Sequence, residues 1–515
     1  MELIRRNIHM DRVKTEAVMQ FTAEEDVNVP DSKPDVNAIN LERGEVILEE
    51  IRPTAGQVFV KGYLGYTILY HTLDGGSRLV VLEGRLPFSE TMNVNGVTAS
   101  DAVTVTGELQ DLSIHMINSR KLSIQSLITL TAAVEELYDE EAPVGVHGEE
   151  RVEYHKVPMN VAQIVISKHD IFRWKKELDM PAGYPNISEI LWNDVSLRDM
   201  QIRPSDEKLL LTGEVQVFLL YEGEGENKSV LAYETVIPIS GTIDCHGCRE
   251  GMISDIHWAV GQKDVAVRPD LDGEERCVGI ELVLEFGMKV YEDEKLEVIS
   301  DLYGVSDEVT SRYYDAILRQ LLTRVTGKSK VADKIKVKSG NVLQLLHSEG
   351  EVLQEQQTIV PNGILLRGFL KLKVMYITGT DDMPYGSTVE MLPYEYTLEV
   401  PGITTEDKYS VQGEVEQLQV SMLDGEEMDV KAVLGFSTIV FKTIPARLLN
   451  TVEITALSPE KENRLPGIAF YVVKEGDNLW NIGKRYYISV DKLKELNALE
   501  SDELQIGQKL LIVRG

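Results

Sequence analysis

VFVKGYLGYTILY (58–70), LLLTGEVQVFLLY (209–221) and ILLRGFLKLKVMY (364–376) are three renderings of one pattern, and that pattern decides the fold. Each holds a glycine, Gly62, Gly213 or Gly368, followed eight residues later by Tyr70, Tyr221 or Tyr376. A proline among apolar neighbours stands twenty-five residues after each glycine, at Pro87, Pro238 and Pro393. Recurrence at fixed offsets identifies a repeat, displaced here by 151 and then 155 residues. Upstream, Pro30, Pro34, Ile39 and Pro53 recur as Pro181, Pro185, Ile190 and Pro204, so the unit is about 150 residues long. Downstream, Gly107 and Gly413 both stand 45 residues past their reference glycine, whereas the second copy loses this register around Trp258.

Counted from the glycine, every second residue is apolar, as in Val58, Val60, Leu64, Tyr66, Ile68 and Tyr70. Intervening positions are largely polar, among them Lys61, Thr67, Thr212, Glu214, Gln216, Arg367, Lys371 and Lys373. A period of two predicts a long strand with one face buried and one solvated. A glycine inside such a strand removes packing, and so marks a bulge or the close approach of another backbone. Further alternating runs, such as VTVTGELQDLSIHM and VGIELVLEFGMKVY, are separated by the turn-rich stretches TLDGGS, DLDGEE and LDGEE. The expected fold is mainly β, with three tandem antiparallel β-sandwich-like units. The repeated glycine, tyrosine and proline read as structural punctuation. No histidine among the nine is paired in sequence with the carboxylate or nucleophile that would make it a base.

Composition narrows the function. Lysine and arginine number 52 against 84 aspartates and glutamates, a net charge of −32 without a segregated basic patch. Such a field repels phosphate backbones, which argues against nucleic-acid partners. The opening MELIRRNIHMDRVKTEAV lacks the apolar stretch of a signal peptide, and no window offers the roughly 18 apolar residues of a transmembrane segment. Only three cysteines occur, too few for a disulfide framework, so a reducing cytoplasmic setting is expected.

The strand ending in tyrosine and the later apolar-proline segment resemble the SPOCS domain, a repeated module of spore coat and sporulation proteins. The likeness spans most of residues 25–445.

A different texture follows TALSPEKENRLPG, which reads as a linker. In AFYVVKEGDNLWNIGKRYYISVDKLKELNALESDELQIGQKLLIVRG, a strand over Phe470–Val473 stops at Gly476 and Asp477 caps a helix carrying Leu479, Ile482 and Tyr486. Ser489 caps a second helix with Val490, Leu493 and Leu496, and Gly507 turns the chain into a strand over Lys509–Val513. This β-α-α-β segment closely resembles a LysM domain, with Tyr471, Gly476, Asp477, Leu479, Trp480, Asn497, Leu504, Gly507 and Gln508 at the family positions. The resemblance implies a groove for N-acetylglucosamine-containing glycans between two loops. Its residues are Gly476, Asp477, Asn478 and Leu479 with Leu504, Gln505, Ile506 and Gly507. Against the family pattern, Asn478 replaces Thr or Ser, Tyr487 replaces Gly and Ile506 replaces Pro. Tyr487 and Ile506 put bulky apolar groups near the surface, which marks them as candidate partner contacts. Trp480 and Leu479 read as core residues of an amphipathic helix.

Three SPOCS-like units followed by one LysM resemble the SipL-like spore coat morphogenetic proteins. That resemblance implies a scaffold, with no catalytic residue and no cofactor, acting in the mother cell at the forespore surface. Its implied partners are the coat ATPase SpoIVA and other coat proteins, with peptidoglycan glycan as the alternative. The expected boundaries are 1–154, 155–306 and 307–457 for the repeats, 458–467 for the linker and 468–515 for LysM. Cys245-His246-Gly247-Cys248 lacks a second C-x-x-C and reads as a local turn without equivalent in the other copies, rather than a zinc or redox site. Residues 306–326 fit either a helix closed by Gly327 or a strand joining copies two and three.

Overall fold

The computed structural model describes residues 2–72, 78–148, 151–225, 229–337, 342–380 and 384–514. The first unit consists of β1 (Glu2–Asn28), β2 (Val36–Thr54), β3 (Gln57–Thr72), β4 (Leu79–Asn93), β5 (Val103–Asn118) and β6 (Lys121–His147). The second repeats it as β7 (Val152–Asp179), β8 (Ile187–Ser205), β9 (Lys208–Gly223), β10 (Val230–Asp244), β11 (Ile253–Arg268) and β12 (Cys277–Gly304). The third does so as β13 (Asp307–Lys336), β14 (Val342–Val360), β15 (Gly363–Thr378), β16 (Tyr385–Glu399), β17 (Lys408–Met422) and β18 (Glu427–Ala456). Residues 307–326 therefore lie in β13 rather than forming a helix, because β18 supplies antiparallel backbone partners along their length.

Each unit is two antiparallel three-stranded sheets, β2-β3-β4 and β1-β6-β5 in the first. The alternating residues of β3, including Val58, Leu64, Ile68 and Tyr70, meet Leu122, Ile124, Ile128 and Leu130 of β6 in a core between the sheets. DLDGEE and LDGEE form turns, with the Gly273 amide donating to Asp270 O at 3.1 Å and the Leu423 amide to Glu427 O at 2.9 Å. TLDGGS falls mainly on residues 73–77, outside the described residues.

The repeated punctuation has the mechanics expected of it. At Gly62 and Gly368 the facing strand bulges, between Leu48 and Glu50 and between Gln354 and Gln356. A Cβ would sit 2.2 Å from Ile47 O at the first and 1.9 Å from Leu353 O at the second, so only glycine lets the backbones approach. Tyr70 is buried and donates to Pro34 O at 2.9 Å, tying the strand end to the preceding proline segment. Pro87, Pro238 and Pro393 lie on the edge strands β4, β10 and β16, where a missing amide costs least.

Two readings need correction. The second face of β3, β9 and β15 is not solvated near the tyrosine end. Leu69, His71, Phe218, Leu220 and Met375 are all buried there, because the three units close on one another through that face. The Cys245–Cys248 turn also has equivalents after all. Shifted by the repeat spacing, it falls on Val94–Val97 and Val400–Ile403, and all six residues are buried. Gly96, Gly247 and Gly402 take positive φ within the same turn. The cysteines therefore stand where small aliphatic residues pack, and burial pushes the Cys245 thiol up to about 12.

The long strands run past the sandwiches. Ile8, Met10 and Ala142 of the first unit share one core with Val161, Leu296 and Val298 of the second and Ala316, Leu318, Ala446 and Leu448 of the third. Buried Asp11 pins this stem, pairing with Lys289 at 2.9 Å and with Arg319, while Lys289 also reaches Glu135 at 2.7 Å.

Gly368→Ala is expected to cost about 2 kcal/mol or more in urea unfolding, because the obstructing atom is backbone; a loss under about 0.5 kcal/mol would contradict the bulge account. Cys245→Val with Cys248→Val, which installs the first copy's own pair, is expected to hold stability within about 1.5 kcal/mol. A large loss accompanied by release of bound zinc from the purified parent would instead identify a metal site.

Candidate functional site

After β18 a short helix, α1 (Pro459–Arg464), is capped by Ser458, and Lys461 on it pairs with Glu308 of the stem. The C-terminal module follows as β19 (Ile468–Val472), α2 (Leu479–Tyr486), α3 (Val490–Asn497) and β20 (Lys509–Val513). Its core joins Tyr471, Val473, Leu479, Ile482, Ile488, Leu493, Leu510 and Ile512. Ser489 caps α3 as expected, accepting from the Lys492 amide at 3.2 Å.

The cap of α2 is Asn478, not Asp477. Asn478 Oδ1 accepts from the Asn481 amide at 2.7 Å. The Asp477 carboxylate instead accepts from Tyr471 OH at 2.6 Å and the Lys474 amide at 2.8 Å, closing the preceding turn. Those two donors, the tyrosine hydroxyl foremost, hold the Asp477 carboxyl below the usual range. The opposite loop is tied to this one: the Gly507 amide donates to Val473 O and the Val473 amide to Gln508 O, each at 2.9 Å. The Gln505 amide is taken by Gln508 Oε1 at 2.9 Å. Gly476 and Gly507 have φ of 82° and 85°, which suits glycine.

Thus the structure brings the two predicted loops together. Leu479 is in the core, Leu504 is half-buried, and Gly476, Asn478, Gln505 and Ile506 are exposed, Ile506 by 74%. Tyr487 ends α2 at φ 57°, a left-handed position where glycine is easy and a bulky residue is strained. Its ring lies 5.8 Å from the Arg514 guanidinium.

Trp480 does something the sequence reading missed. Its indole N–H donates to Asp301 Oδ2 at 2.9 Å, and its ring packs 4.8 Å from Tyr303 and 5.4 Å from His155 at the stem's end. Lys484, one turn on, reaches both Asp301 oxygens at 2.6 and 2.7 Å. Buried Tyr303 donates to Ile488 O at 2.8 Å and leaves no room for a side chain at Gly483, where a Cβ would stand 2.5 Å from its hydroxyl. Burial raises the Asp301 carboxyl, but the Lys484 and Trp480 hydrogen bonds outweigh it and hold the group below its usual value. The module is therefore seated on the repeats. A second feature was legible but unread: Ile468, Phe470 and Val472 alternate along β19 and are 69%, 72% and 46% exposed, an apolar strip on the outer sheet face.

Asp301→Ala is expected to unseat the module, costing about 2 kcal/mol of docking, exposing Trp480 to solvent by fluorescence and speeding protease cleavage around residues 457–467. Because the folded carboxyl is depressed, its contribution is complete above about pH 4 and fades as pH falls through the folded value. Unchanged fluorescence and cleavage in the variant would refute the seat.

No helix is long and apolar enough to cross a membrane among the described residues. The LysM domain model matches residues 471–513. Over about 40 residues the chain is 52% identical to a probable peptidoglycan endopeptidase LytE of Bacillus subtilis, covering 8% of this chain and 12% of that protein. It is 52% identical over 42 residues to a probable N-acetylmuramidase of Lactococcus lactis, covering 8% and 10%. An autolysin of Enterococcus faecalis is 45% identical over 42 residues, covering 8% and 6%. The chain thus spans about a tenth of the length of these relatives, all within the LysM region. No solved structure matches. The model for SipL, SPOCS domain, matches residues 23–117, 186–268 and 341–423, about half of the chain, one segment in each repeat. With three SPOCS segments and a LysM domain at its C-terminal end, the chain belongs to the SipL, SPOCS domain family.

Proposed function

We propose that this chain is a non-enzymatic scaffold of spore coat assembly, in which three β units hold out a LysM that tethers coat proteins to the forespore surface by binding the coat ATPase SpoIVA. On this reading it works in the mother-cell cytoplasm. Family membership supports the coat role, and both of its domain types are binding modules.

The single observation that favours a protein partner is Ile506, 74% exposed on the loop facing Asn478, with exposed Val472 across the Val473–Gly507 hydrogen bond. Desolvating such a side chain rewards a partner that supplies a complementary apolar pocket. Asn478 Oδ1 is spent on the helix cap and the Gln505 amide on Gln508, so fewer donors and acceptors remain for sugar hydroxyls. The second reading, binding of N-acetylglucosamine-containing peptidoglycan, is favoured by the likeness of this module to segments of proteins named as a probable peptidoglycan endopeptidase and a probable N-acetylmuramidase.

Ile506→Asp in the full-length chain is expected to weaken capture of the ATPase by about 2 kcal/mol, roughly thirtyfold, while thermal melting stays unchanged. Wild type is expected to sediment weakly or not at all with purified peptidoglycan. Tight sedimentation that survives Ile506→Asp, with no ATPase retained by wild type, would promote the glycan reading.

A further inference from the structure

Trp258 stands 45 residues past Gly213, the place that Gly107 and Gly413 occupy in the other two copies. The strand register is not lost there. Each of the three strands shifts two residues later, between Leu109 and Asp111, Val260 and Gln262, and Val415 and Gln417. What changes is the side chain. In the first and third units a Cβ at the glycine would meet Val46 Cγ1 at 2.7 Å and Gln354 Nε2 at 2.6 Å, because the neighbouring strand folds over it. An indole cannot fit under such a cover. In the second unit the covering strand, β8, breaks its pairing over Asp199 and Met200, between Arg198 and Gln201, with Asp199 at φ 52°.

The opened corner faces the third unit across two adjoining cavities of about 600 and 420 Å³. They share Met200, Trp258, Thr326, Gln412, Glu414 and Ser437 as walls. That is the size of small-ligand sites. Three polar groups lining this space lack protein partners. Glu414 accepts no hydrogen bond and forms no ion pair among the described residues, and Lys328 beside it is committed to Glu416 at 2.5 Å. Arg324, exposed at the rim of the smaller cavity, likewise forms no ion pair or hydrogen bond among the described residues. Ser254 Oγ is buried, the residue being 4% exposed, and also has no partner. A buried polar group is nearly always satisfied, so the unmet Ser254 hydroxyl, in a space that also holds the half-buried unpaired carboxylate of Glu414, points to something that fills it.

We propose that this cleft binds a peptide through a cationic side chain, with the ammonium or guanidinium group held between the Trp258 indole and the Glu414 carboxylate. An aromatic face and a carboxylate together select an organic cation. Arg324 and Ser254 in the smaller cavity are donors suited to the carbonyl oxygens of the peptide backbone, which favours a peptide over a free polyamine. The net charge of −32 draws such a ligand in. The site is separate from the LysM groove and does not depend on it. Burial and the like charges of Glu416 and Asp199 raise the Glu414 carboxyl, in keeping with a group left without its counter-charge.

The test is calorimetric titration of the full-length chain with acetyl-Gly-Arg-Gly-amide, its lysine analogue, its neutral citrulline analogue and spermidine. Saturable binding of the arginine or lysine peptide is expected, at least tenfold tighter than the citrulline peptide. Glu414→Gln should erase that difference, Trp258→Phe should weaken binding severalfold, and Ile506→Asp should leave it unchanged. Glu414→Gln should melt no lower than the parent, since it removes a lone carboxylate; if it does melt early, Trp258→Phe and the citrulline comparison decide the matter. Absence of saturable binding at millimolar peptide, equal binding of the citrulline peptide, or indifference to Trp258→Phe would overturn the site. Tighter binding of spermidine than of either peptide would overturn the peptide assignment.

Discussion

Burial of the second face of the middle strands is the constraint on which the rest of the structure depends. A single sandwich would leave Leu69 and His71, or Phe218 and Leu220, in water, and three units remove that cost by covering one another. Each interface then carries its own polar contact. Arg43 of the first unit donates to Asn193 O of the second at 2.7 Å. Asp194 of the second pairs with His347 of the third at 3.1 Å, and Lys373 of the third donates to Glu42 O of the first at 2.6 Å. Arg43 and Lys373 also both lie against the Trp192 ring, at 4.9 and 5.2 Å. Arg43, Asp194 and Glu349 are repeat-equivalent positions, so duplication supplied the places and divergence supplied complementary charges.

That junction is held together by compensation. Burial drives the Lys373 ammonium down and the Glu349 carboxyl up, whereas Asp194, although burial raises it, is held below its usual value chiefly by its hydrogen bond with His347. Replacing one member leaves its partner charged and unpaired in a dry interface, a defect of about 3–5 kcal/mol in comparable buried pairs. The three contacts are chemically unlike, so exchanging any two units would mismatch them. Chemical identity at equivalent positions thus fixes the order in which the repeats close, a task that apolar burial alone performs poorly because Leu69, Leu220 and Met375 are nearly interchangeable.

Much of this was legible in the sequence because it is local. Alternation reported the strands, the offset glycines reported bulges, and Ser489 reported a helix start, each a property of a few adjacent residues. The junction was not, since Asp194 and His347 meet across 153 residues. Its only trace was that Leu69, Phe218, Leu220 and Met375 break the polar alternation of their strands. Asp477 was misread as a cap because an acceptor beside a helix start can serve either the helix or the turn before it, and Tyr471, six residues earlier, decides the outcome. Trp480 was assigned to the module's own core from helical spacing, which cannot tell burial within a domain from burial against another.

That last distinction bears on how the module works. A LysM on a flexible linker would offer every face to a partner, but the seat made by Asp301, Tyr303 and His155 covers the Trp480 side of α2. The seat opposes the torsional freedom of residues 457–467 with one buried tyrosine, one bidentate lysine and one indole, so the module is presented in a defined orientation. Among the faces left outside are Ile506 on its loop and the Ile468, Phe470 and Val472 strip, apolar side chains in a chain whose net charge is strongly negative. An apolar edge displayed on an acidic body disfavours self-association through like-charge repulsion while remaining open to a partner of complementary charge. Rigid display also lowers the ordering cost of binding, so a small exposed edge such as Ile506 with Val472 can contribute more to affinity than the same residues on a loose tether.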